Sequence, residues 1–117
     1  GITNTDLKLK YGILNFKKLS EYDDNFTKFV SMLPDYCNRL TEAGYESLAN
    51  ELLEFAVEQG ADSKSVYSLL ANAFISMSKA DRLAELIEKA KQLNSLSRDG
   101  IVSMLESLQA DAASAGN

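Results

Sequence analysis

Residues 67–76, "YSLLANAFIS", read as a helix with one misfit: Asn72 sits inside an otherwise apolar run. A second stretch, "YCNRL" at 36–40, likewise sets an asparagine, Asn38, directly after a small residue. Helical stretches of about fourteen residues joined by short turns invite a search for an internal period. An offset of 34 pairs the two asparagines, and with them Cys37 with Ala71, Leu40 with Phe74 and Gly44 with Ser78. It also pairs Ala49 with Leu83, Glu51 with Glu85, Leu53 with Ile87 and Ala56 with Ala90. One further step reaches Ile101 from Tyr67, Leu105 from Ala71 and Leu108 from Phe74. The physical logic is consistent. Small side chains at 37 and 71 suit two helices that approach closely, and Leu40 and Phe74 fill the space beside them. Ala56 and Ala90 suit the contact of a second helix with the next unit. A hairpin of this kind exposes an apolar face that only a neighbouring hairpin covers.

Around these stretches the chain divides into helices. Residues 5–19, "TDLKLKYGILNFKKL", form a first candidate, with Thr5 as N-cap and Asp6 in the first turn. "LKLKYGI" also alternates as a strand would, and Gly12 weakens a helix. A helix is read from about 24 to 43, with Pro34 at its middle. Proline costs a helix interior about 3 kcal/mol but suits a first turn. The favoured reading is therefore a break, with one short helix ending near 32 and another starting near Pro34. Gly44 ends that helix, residues 45–59 form the next, and Gly60 closes it in the C-terminal position that favours glycine. Asp62 or Ser63 caps a helix over 64–77. "SKAD" turns the chain into 80–93, where Leu83, Leu86, Ile87, Ala90 and Leu93 recur at three and four and Glu85 and Lys89 stand at i,i+4. A last helix covers about 98–111, and "DAASAGN" at 111–117 reads as a frayed tail, disordered over 112–117.

A helix–turn–helix period of 34 residues is that of the tetratricopeptide repeat. "YSLLANAF" followed by "LAELIEKAKQL" closely resembles one such repeat: an aromatic, then Leu-small-Asn-Ala-aromatic, then an apolar second helix punctuated by alanine. Residues 30–63 resemble a degenerate copy that keeps "YCNRL", Gly44, Ala49, Leu53 and Ala56 but has Leu33 where an aromatic is usual and Ala61 at the closing proline. The resemblance covers roughly 30–108. It implies an all-α fold of about six helices, antiparallel hairpins stacked as a short right-handed solenoid. Residues 1–29 then form an N-terminal cap, 30–63 and 64–97 two repeats, and the final helix a solvating cap. In such arrays the first helices line a concave groove that binds extended peptides or helices. Carried over, the groove positions are Pro34, Asn38 and Thr41 from one unit, and Ser65, Ser68, Asn72 and Ile75 from the next. Side-chain amides there can bond a peptide backbone, since each offers donors and an acceptor. The lysines or arginines that grip a C-terminal carboxylate in chaperone-binding members are replaced here by Pro34 and Ser68, which argues against an acidic C-terminal ligand.

Composition narrows the chemistry. At 117 residues, 45% apolar and 25% charged, the chain fits one ordinary globular domain. The net charge is −5, but Lys8, Lys10, Lys17 and Lys18 against Asp6 give the first nineteen residues +3, which leaves −8 on the remainder. An acidic body disfavours nucleic acid as a ligand, because phosphate binding needs clustered Lys and Arg. With no histidine and a single cysteine, Cys37, neither a His-based nucleophilic set nor a Cys/His zinc site can be assembled within one chain. Cys37 reads as a small core residue. The carboxylates Glu51, Glu54, Glu58, Glu85 and Glu88 read as solvated faces of second helices.

The expectation is thus a non-enzymatic protein–protein interaction module without catalytic residue, metal or cofactor. Its predicted groove residues are Asn38, Thr41, Ser65, Ser68, Asn72 and Ile75, and its partner is a protein or peptide. The alternative is a structural or oligomerising helical domain whose groove is filled by its own N-terminal helix or by a second copy. A cytoplasmic setting is expected, within a larger bacterial protein. No apolar run reaches the roughly 18 residues of a membrane span. The basic residues 8–18 would suit proximity to a bilayer if an anchor lay upstream.

Overall fold

The computed structural model describes residues 24–115, and among these all regular structure is helical. Five α-helices follow one another: α1 (Asp24–Glu42), α2 (Glu46–Glu58), α3 (Lys64–Ser76), α4 (Leu83–Lys91) and α5 (Arg98–Ala115). A single 3-10 turn, Ala80–Arg82, leads into α4 where the sequence suggested α-helix from residue 80. The sixth helix expected at 5–19, and the N-terminal cap as far as residue 23, lie outside the described residues. The chain divides into two compact units at Leu52/Leu53, within α2.

In the first unit, α1 runs unbroken through Pro34, contrary to the expected break. The reason lies in the stripe it carries. Phe29, Leu33, Cys37 and Leu40 are all buried, and their spacing of four, four and three keeps them on one helical face across the proline. Pro34 cannot donate to Val30, a loss of about 3 kcal/mol. Four buried side chains, at roughly 2 kcal/mol each, outweigh it only if the helix stays continuous. Arg39 pairs with Asp35 at 3.1 Å on the exposed side. Helix α1 meets α2 closely at Cys37, whose thiol donates to the Ala49 carbonyl at 3.6 Å. A larger residue at 37 would collide with the α2 backbone.

In the second unit, α3, α4 and α5 pack on one another. Tyr67, Leu70, Ala71 and Phe74 of α3, Leu83 and Ala90 of α4, and Ile101 and Leu105 of α5 are at most 2% exposed. Helix α5 continues through the "DAASA" stretch expected to fray and ends at Ala115. Alanine is the strongest helix former, and no breaker occurs before Gly116.

The helix ends repeat one another. Helix α1 closes with Tyr45 N–H donating to Leu40 C=O (2.8 Å) and Gly44 N–H to Thr41 C=O (3.1 Å). Helix α3 closes with Lys79 donating to Phe74 (2.7 Å) and Ser78 to Ile75 (3.1 Å), the same bonds 34 positions on. Both are the double-bonded closure that requires a left-handed residue just past the helix. Gly44 supplies it at φ +93°, and Ser78 at φ 60° is the only non-glycine with positive φ among the described residues. Helix starts agree too: Tyr67 N–H donates to Ser63 C=O (3.2 Å) and Ile101 N–H to Ser97 C=O (3.0 Å). Of the two candidate caps for α3, it is Ser63 whose hydroxyl accepts, from Val66 N–H at 3.3 Å.

The left-handed serine predicts a gain. A side chain at positive φ costs roughly 1–2 kcal/mol that glycine does not incur. Ser78→Gly is therefore expected to raise stability by about 1 kcal/mol in thermal unfolding, whereas Gly44→Ala lowers it by a similar amount. A fall on Ser78→Gly would mean that residue 78 is not left-handed in solution.

Candidate functional site

The expected groove residues fall on two helices. On α1, Asn38 and Thr41 are exposed and stand three apart, on the side away from Cys37 and Leu40. On α3, Ser65, Ser68, Asn72 and Ile75 are spaced three, four and three, so they share one face. Ser65 and Asn72 are exposed, Ser68 and Ile75 half-buried. The first pair belongs to the first unit and the other four to the second. Pro34 is half-buried on α1.

Asn72 is not a free amide. Its Nδ2 donates to the Ser68 carbonyl at 2.9 Å and lies 3.4 Å from Ser68 Oγ, back along its own helix. Asparagine in a helix interior commonly bonds the preceding turn in this way. The Nδ2 group is thereby engaged locally, and the acceptor Oδ1 takes no part in these bonds. The face of α3 consequently offers acceptors and hydroxyls, with Ile75 as its apolar element. The repeated asparagine remains tolerable within an apolar run because both Asn38 and Asn72 sit on the exposed side of that run.

A second cluster has no counterpart in the sequence reading. Arg82, at the end of the 3-10 turn, holds its guanidinium 4.4 Å above the Phe74 ring. The same guanidinium pairs with Glu54 of α2 (Nη2 to Oε1, 2.9 Å) and with Glu85 of α4 (Nε to Oε2, 3.4 Å). It thus links three helices of the second unit. Burial pulls the Arg82 pKa down, but the charge of Glu54 and the hydrogen bond and charge of Glu85 more than offset this and hold it above its usual value. The Glu54 oxygen is fully buried and lacks a well-directed hydrogen bond, so its contact with Arg82 is an ion pair of close approach. Two expectations change here. Glu85 pairs with Arg82 rather than with Lys89. Glu54 is a cross-helix partner rather than part of a solvated face, while Glu51, Glu58, Glu85 and Glu88 are exposed. Beside the guanidinium lies a shallow cleft of about 100 Å³ floored by Val57, Leu70 and Leu86, with Glu58 and Lys89 on its rim. Nothing in the sequence singled the cluster out: position 82 is charged where its mate 34 residues earlier, Leu48, is apolar, but Lys89 and Lys91 stand in the same relation to Phe55 and Val57.

Two further titratable groups, Cys37 and Tyr67, are buried among the described residues. Cys37 is 2% exposed and burial pushes its thiol up to about 11. A thiol held that high is almost wholly protonated near neutrality and is a poor nucleophile. Tyr67 is fully buried, burial raises its pKa to about 12, and its hydroxyl has no hydrogen-bond partner among the described residues. Among the described residues no three His, Cys, Asp or Glu side chains converge as a metal site, and no helix is long and apolar enough to cross a membrane. No protein-family model, curated protein or solved structure matches the chain.

Proposed function

We propose that this chain is a protein-interaction module of tetratricopeptide-like construction, without catalytic activity, that binds a peptide or helix of a protein partner. The binding face is the exposed side of the first helix of each hairpin. The observation that carries the reading is the recurrence, 34 residues apart, of one pattern of burial and helix closure. Leu33 and Tyr67, Cys37 and Ala71, Leu40 and Phe74, and Ala56 and Ala90 are buried in pairs. Asn38 and Asn72 are exposed as a pair. A surface pair that recurs with the core register fits a repeat with a common binding side.

The contributing residues are Asn38 and Thr41 on α1 and Ser65, Ser68, Asn72 and Ile75 on α3. With its donors turned back onto Ser68, Asn72 offers Oδ1 to a ligand N–H. The buried, protonated Cys37 fits a packing role rather than a nucleophilic one.

The test is a comparison of partners captured by the wild type and by the Asn38→Ala/Asn72→Ala double variant. Both positions are exposed, so stability should change by less than about 0.5 kcal/mol per site, which a melting curve checks. The expected result is an unchanged melt with a specific partner lost or weakened about tenfold. Retention of every partner at wild-type strength would refute the assignment of this face. Sedimentation at several concentrations separates the self-associating alternative, in which the face is covered by a second copy and mass rises with concentration.

A further inference from the structure

We draw no further inference here: the strongest candidate, the cleft around Arg82 between the C-terminal end of α2 and helices α3 and α4, carries groups of both signs without an ion-pair partner among the described residues on its rim, Glu58 and Lys89, so nothing in the structure shows what covers it.

Discussion

Phe74→Ala is expected to cost about 3–5 kcal/mol of stability, the usual range for removing a buried aromatic ring. Phe74 is 2% exposed, so most of its surface leaves contact when the ring is deleted. The ring also supports the Arg82 guanidinium at 4.4 Å. Without it, Arg82 keeps Glu54 and Glu85 but loses the face on which it rests, a further loss of roughly 0.5–1 kcal/mol. A small domain has only about 5–15 kcal/mol in total. The variant should therefore lie near the edge of folding at 25 °C. Leu40→Ala, its mate in the period, should cost about 2–5 kcal/mol. Urea unfolding followed by circular dichroism measures both. A loss below about 1 kcal/mol at Phe74 would mean that the ring is not in the core.

Stability is expected to fall steeply in alkali. Burial raises the Cys37 thiol from 9.0 to about 11 and the Tyr67 phenol from 10.0 to about 12. In the unfolded chain both groups ionise at their ordinary values. Below pH 9 both states are protonated, and the stabilising contribution of the neutral form is fully present. As pH rises past 9 the unfolded state loses the thiol proton first, so it binds fewer protons than the native state and stability declines. The Cys37 contribution fades between pH 9 and 11 and the Tyr67 contribution between pH 10 and 12. Each displacement corresponds to roughly 3 kcal/mol when complete. Between pH 8 and pH 11 the two together remove about 4 kcal/mol. Cys37→Ala should flatten the earlier limb and Tyr67→Phe the later one. Tyr67→Phe also removes a buried hydroxyl without a partner, which otherwise costs about 1–3 kcal/mol, so this variant should be no less stable than wild type at pH 7. Urea midpoints at a series of pH values give the slopes. Parallel curves for wild type and both variants would place the two groups in contact with solvent.

Much of the fold could be read because its determinants are local and periodic. Gly44 and Gly60 were legible as helix ends, and both adopt positive φ. The left-handed Ser78 has no glycine to announce it, but the period that pairs it with Gly44 points to the same closure. Pro34 misleads because a local cost is visible in the sequence whereas its compensation, the stripe Phe29–Leu33–Cys37–Leu40, acts through tertiary packing. The end of α5 misleads for the opposite reason, since small residues suggest fraying although alanine favours helix. Among site residues, exposure of Asn38 and Asn72 follows from the register. The local bond of Asn72 to Ser68 does not, because the backbone carbonyl four residues back competes with any ligand for the amide. The Arg82 cluster is not legible at all: Glu54 and Arg82 are 28 positions apart, and only folding brings them to 2.9 Å.

On the proposed reading, 30–63 and 64–97 are two copies of one helix-pair unit. A structure determined in solution by NMR tests it most directly through contacts between methyl groups. In the first copy Cys37 lies against the backbone of Ala49. If the two copies are equivalent, Ala71 lies against Leu83 in the same manner, and the pair α1–α2 superposes on α3–α4 with the 34-residue offset. Absence of any Ala71–Leu83 contact, with α3 and α4 meeting through other faces, would contradict it.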